Sequence, residues 1–191
     1  MCSVNLRLGF ACVVMLSAFA VKAECNQRVS LSQPDSRYEV VDGTAGAEVR
    51  DKQAGIVWQR CVLGMAWNGS TCIGAPIGKS WTDAMQLVQS AQNGKSVNPW
   101  RLPTHTELVG LAERACYNPS INTNWFPETP PERTWTSSMD ASNADEAWHV
   151  SFSYGQGGHT LKRNLGRIRL VRDDIQVQTK AKIAQKVSFN N

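Results

Sequence analysis

Between residues 38 and 59 apolar and polar residues alternate in short runs broken by turn formers. Tyr38-Glu39-Val40-Val41 and Ala47-Glu48-Val49-Arg50 predict strands separated by Asp42-Gly43. Asp51-Lys52-Gln53-Ala54-Gly55 is the next turn, and Ile56-Val57-Trp58-Gln59 the strand leaving it. A glycine-rich stretch from 64 to 78 predicts a loop. The period then lengthens. Trp81, Ala84, Met85, Val88 and Ala91 share a helical face, with Ser80 as N-cap, Asp83 at N3 and Asn93-Gly94 as the stop. A second helix follows Trp100-Arg101-Leu102: Pro103 ends the extended segment, Thr104 caps and Glu107 completes a capping box, with Leu108, Leu111, Ala112 and Ala115 on one face. Residues 117–133 contain four prolines and predict a long irregular loop anchored by Ile121, Trp125 and Phe126. Beyond it Trp148, Val150, Phe152 and Tyr154 alternate with Ala147, His149, Ser151 and Ser153, a half-buried strand. Gly155-Gln156-Gly157-Gly158 turns it, Leu161 begins a return, and Ile168 and Leu170 alternate with Arg167 and Arg169 on a last strand. Strands, two helices, a long loop and strands again make an α+β fold with a small antiparallel sheet.

The first 23 residues follow a different rule. Arg7 makes a positive start, Leu8 to Ala20 an apolar run, and Val21-Lys22-Ala23 a cleavage context, so residues 1–23 read as a secretory signal peptide. The apolar run is about 13–14 residues, short of the ~20 that span a bilayer. Neither Cys12 nor Cys25 lies in a lipobox-like context. The division is then a 24–44 arm with a first strand, a domain at 45–172, and a polar basic tail at 173–191. Without the leader 18 basic residues face 16 acidic ones, a balance that does not suggest nucleic acid. Hydrophobic content of 42% supports a packed core, and seven tryptophans are many for the size. Four cysteines remain, which in an exported chain read as two disulfides with three connectivities. Cys61–Cys72 is favoured because it closes a short loop containing Trp67-Asn68-Gly69-Ser70, which leaves Cys25–Cys116. Their spacing contains no C-x2-C pair and only three histidines accompany them, so no metal is expected.

Six stretches, taken in order, carry a resemblance: 51–61 (DKQAGIVWQRC), 100–108 (WRLPTHTEL), 121–127 (INTNWFP), 134–138 (TWTSS), 147–152 (AWHVSF) and 167–172 (RIRLVR). Together they resemble the bacterial domain of unknown function 1566, the Lcl C-terminal domain, over roughly residues 45 to 172. The resemblance implies a C-type-lectin-like fold and, more distantly, kinship with formylglycine-generating domains. It also implies a surface role, since some members look like adhesins that recognise sulfated polysaccharide.

Calcium-lectin chemistry needs several oxygen ligands. Gln33-Pro34-Asp35 imitates one lectin tripeptide but is remote in sequence from the long loop, and no Trp-Asn-Asp follows. An oxidative enzyme needs reactive cysteines late in the domain, yet the last is Cys116, placed by the pattern at a helix C-terminus that disfavours a thiolate. His105, His149 and His159 lie in no hydrolase or metalloprotease motif, and His149 reads as an exposed strand residue. No catalytic residue and no cofactor is expected. Cations do cluster late: Lys162, Arg163, Arg167, Arg169, Arg172, Lys180, Lys182 and Lys186 fall in the last thirty residues. Arg167 and Arg169, two apart on a strand, can converge on one anion, with Arg163 beside them. Trp58, Trp81, Trp100, Trp135 and Trp148 are expected in the core, whereas Trp67 and Trp125 lie in loops where sugar-stacking rings are found. The expected function is a non-catalytic exported binding or adhesion module for a polyanionic or sulfated polysaccharide, or a surface protein, without calcium. The alternatives are an accessory subunit of a surface assembly such as a pilus and, behind it, an oxidative enzyme.

Overall fold

The computed structural model describes residues 22–92 and 98–175. The expected signal peptide up to residue 21, the expected Asn93-Gly94 helix stop and the segment beyond Ile175 lie outside the described residues. Mostly β, the fold comprises β1 (Glu24–Cys25), β2 (Tyr38–Val40), β3 (Glu48–Asp51), β4 (Ile56–Gln59), β5 (Met65–Trp67), β6 (Cys72–Gly74), β7 (Gly78–Lys79), α1 (Trp81–Gln92), α2 (His105–Val109), β8 (Cys116–Tyr117), β9 (Arg133–Met139), β10 (Glu146–Ser151), β11 (Gln156–Leu161), β12 (Gly166–Arg167) and β13 (Val171–Asp173).

Two larger sheets organise the molecule, one of five strands in the order β11-β10-β9-β12-β7 and one of four in the order β13-β4-β3-β2. All pairings are antiparallel except β12 against β9. The strand after Leu170 therefore leaves its chain neighbours and pairs with β4, with Val171 opposite Trp58. The predicted glycine loop holds the β5–β6 hairpin, whose tip closes because Asn68 Oδ1 accepts from the Ser70 and Thr71 backbone N–H groups.

Two apolar clusters fill the interior. One gathers Tyr38, Val49, Trp58, Leu108, Leu111, Ile121, Phe126, Val150, Phe152 and Val171. The other gathers Ala84, Val88, Leu102, Trp135, Ala147, Ile168 and Leu170, with Trp81 and Trp100 packed against it. Ser80 caps α1 as expected, its Oγ accepting from Asp83 N at 3.2 Å. Thr104 and Glu107 form a complete capping box. Arg101 clamps that box from below. Its Nη groups donate to both Glu107 oxygens (2.9 and 2.8 Å) and to Asp173 Oδ1 (2.9 Å), which ties the strand-to-helix junction to β13.

The second helix is shorter than its pattern suggests. It ends at Val109, and Leu111, Ala112 and Ala115 are buried from a turn beyond it rather than from a helical face. Buried Glu113 accounts for the break. Its carboxylate accepts from the backbone N–H groups of Ser32, Gln33 and Ala115 (2.9, 2.6 and 2.8 Å), a geometry a continuing helix would forbid. Cys116 is consequently on a strand facing Cys25, not at a helix end, and the two are bonded. The second disulfide joins Cys61 to Cys72.

The β10 alternation also slips. A register shift against β9 between Ala147 and His149 buries both Ala147 and Val150, while Trp148 is half-buried and Tyr154 is exposed. Residues 168–170 show no alternation, because both faces of that segment are covered.

Candidate functional site

The sheet that carries β9, β10 and β12 offers an open groove of about 680 Å³ at one end. His149 and Ser151 are two apart on β10, so they project from one face. Arg133, on β9, is directly opposite Ser151 in register and joins them on that face. Arg167 enters from β12, and Gly78, Glu132, Asn164, Leu165 and Gly166 complete the lining. Gly166 has to be glycine. A Cβ there would meet the buried Trp135 ring at 2.8 Å.

The charge in this groove is unevenly answered. Arg167 donates to Pro76 O at 2.7 Å and lies 3.4 Å from the exposed Glu132 carboxylate. Arg133 makes no ion pair among the described residues. His149 sits edge-on to Trp135, with ring centroids 6.1 Å apart, and its buried Nδ1 has no hydrogen-bond partner. Burial first, then Arg133, pulls its pKa below the ordinary value. An anion entering the groove would meet an unpaired guanidinium, a partly paired one and an imidazole that burial and Arg133 hold toward its neutral form.

The residues expected to bind ligand do not form one site. Arg167 lies in the groove. Arg163 lies beside a separate shallow hollow with Ser80, Thr82, Asp145 and Lys162. Arg169 corrects the expectation outright, being fully buried. It donates to Gln59 O (3.0 Å), Arg60 O and Thr129 Oγ1 (2.7 Å), with its guanidinium 5.1 Å from the Phe126 ring. Burial lowers its pKa to about 9, which still leaves it cationic at neutral pH. It cannot converge with Arg167 on a ligand. The physical reason is the two-sided cover of residues 168–170, which strand alternation alone cannot reveal.

Trp67 and Trp125 do come together, on either side of Arg60. His149 is not the exposed strand residue that the pattern suggests, and neither Arg133 nor Arg60 stands out from the local pattern. Arg133 opens a strand after a proline pair, and nothing local marks it as a groove residue. Gln33-Pro34-Asp35, distant in sequence from the long loop, is in space bonded to it: Asn122 Nδ2 donates to Gln33 O and to Asp35 Oδ1, both at 2.8 Å. That is an amide-bonded carboxylate rather than a calcium cage.

Among the described residues one set has metal-ligand chemistry. Ligand atoms of Asp140, Glu146 and His159 lie within 4.8 Å of one another. His159 Nδ1 contacts both carboxylates, and the Glu146 hydrogen bond, helped by the Asp140 and Glu146 charges and opposed by burial, raises its pKa. These charges answer one another and clasp the β10–β11 hairpin. No helix among the described residues is long and apolar enough to cross a membrane.

The sequence model of one protein family, described as the Lcl C-terminal domain, matches residues 47–172. No curated protein and no solved structure matches the chain.

Proposed function

The chain belongs to the Lcl C-terminal domain family, and from that premise we propose that it is an exported, non-catalytic binding module that holds a sulfated or otherwise polyanionic polysaccharide in the Arg133–His149–Arg167 groove without calcium. One observation carries the reading: Arg133 lines that groove and has no ion pair among the described residues to neutralise it. Sulfate and carboxylate groups match the planar donor fork of arginine, and an open groove suits a chain better than a small molecule. Two disulfides fit an oxidising compartment and support export. The architecture we assign is C-type-lectin-like, supported by the order of motifs, the two helices and the long loop pinned by Ile121 and Phe126.

Binding to immobilised heparin, read as the salt concentration needed for elution, tests it. The elution point should fall clearly when Arg133 and Arg167 are replaced together by Ser, while the melting temperature stays nearly constant. Exposed charge contacts are screened over ~8 Å at physiological ionic strength, so binding should weaken steeply with salt. Retention should also strengthen as pH falls through the His149 titration, since the protonated ring adds a cation. EDTA should change nothing. Retention that needs calcium, or that survives loss of both arginines, would overturn the proposal.

A further inference from the structure

On the other sheet, a cleft of about 590 Å³ is lined by Asp35, Val40, Gly46, Arg60, Asn124 and the two tryptophans Trp67 and Trp125. Arg60 forms its floor. The residue is 5% exposed, and its Nε donates to Gly46 O at 2.5 Å. Its guanidinium carbon lies 4.3 Å from the Trp67 ring centroid and 5.3 Å from that of Trp125. No carboxylate pairs with it among the described residues. Its two Nη groups have no hydrogen-bond partner there either, and unlike Arg169 Nε they are not sealed from solvent.

A buried cation without a counter-charge is costly, and two aromatic faces offset only part of that cost. The walls are fixed before any ligand arrives. Trp67 packs its Nε1 edge onto Gly46, where a Cβ would come within 2.9 Å, and Gly46 also needs its positive φ of +87°. Trp125 is backed by Tyr38, with ring centroids 6.0 Å apart. At the exposed rim Asp35 accepts from Asn124 Nδ2 at 3.0 Å, and both residues line the opening.

We propose that this cleft is a binding site for a carboxylated sugar, a hexuronic acid residue, whose carboxylate pairs with the Arg60 Nη groups while its ring stacks on Trp67 and Trp125 and its hydroxyls meet Asp35 and Asn124. The occupant follows from the charges. Arg60 supplies one cation and Asp35 one anion, so a densely sulfated chain is repelled at the rim, whereas a single carboxylate among hydroxyls is matched at both places. The pairing of a planar carboxylate with a guanidinium held between indoles is pre-organised, because the side chain has no rotamer freedom left to lose. This site is separate from the cationic groove and stands or falls independently of it.

Titrating the protein with galacturonate, galactose and acetate, followed by the indole N–H resonances of Trp67 and Trp125, decides it. Galacturonate should shift both indoles and bind about ten-fold more tightly than galactose, the usual gain from one charge-assisted hydrogen bond, and also more tightly than acetate, which has the carboxylate but no ring to stack and no hydroxyls. Arg60→Gln should remove that preference. Since Arg60 also holds Gly46, Trp67→Leu is the second variant: it keeps an apolar side chain on Gly46, deletes one stacking face, and should weaken galacturonate several-fold. The double Arg133→Ser, Arg167→Ser variant should bind galacturonate as the parent does. Galactose or acetate binding as tightly as galacturonate, a C-terminal peptide carboxylate outcompeting it, silent indoles, an unaffected Trp67→Leu variant, or loss of binding in the groove double variant would each overturn the assignment.

Discussion

Glu113 shows how much a single buried side chain sets. Burial alone would raise its pKa, but the N–H donors of Ala115, Ser32 and Gln33 outweigh burial and hold it below the ordinary carboxylate value. A depressed folded-state pKa means stability that is present above the unfolded-state value and is lost as pH falls through the folded one. Replacing Glu113 with Ala should therefore destabilise the protein by about 3 kcal/mol, because three buried donors lose their acceptor. Glu113→Gln should retain part of that stability and flatten the acid limb of a pH-dependent denaturation curve. An unchanged acid limb would show that Glu113 does not govern it. Nothing in the sequence singles this residue out: it sits in an apparent helical run, and two of its three backbone donors are some eighty positions away.

At the level of elements, the junction at Trp100-Arg101-Leu102-Pro103-Thr104 was the most legible part of the chain. A capping box is a local device, complete within four residues, and the structure contains it whole. Thr104→Ala should lower stability by about 1 kcal/mol in equilibrium denaturation, and should leave heparin retention unchanged because the junction lies outside the groove lining. Lost retention with unchanged stability would make the motif a binding element instead. Less legible were the length of α2 and the phase of β10. Helical spacing continues past Val109 in the sequence, yet the helix stops at its C-cap Gly110 and the contacts of Glu113 turn the chain aside. The bulge at Ala147–His149 reverses which residues face inward, and a bulge leaves no mark in a period-two pattern.

For the whole molecule, the disulfides fasten segments that lie outside the two larger sheets. Cys25–Cys116 bridges 91 positions and fastens the N-terminal arm, on the side where Ser32 and Gln33 serve Glu113. Cys61–Cys72 closes the segment that presents Trp67. Peptide mapping without reductant should recover these two linkages. Replacing Cys25 and Cys116 together by Ser should cost about 2–4 kcal/mol in stability and leave heparin retention in place, since the groove lies on the β9–β10–β12 sheet. A loss of retention greater than the loss of folded protein would place the arm in the binding surface.

The sequence by itself determined what depends on near neighbours: the strands at 38–40 and 56–59, both helix starts, the caps, the anchoring of the long loop, and the family through an ordered set of motifs. Only the tertiary structure decided which charges face solvent. Arg167 and Arg169 are indistinguishable by spacing, yet one lines a groove and the other is sealed among the carbonyls of Gln59 and Arg60 and the hydroxyl of Thr129. Arg60 and Arg133 gained their places from strand partners far along the chain. Local pattern fixes where a side chain leaves the backbone; what covers it is supplied by segments that only the completed fold brings alongside.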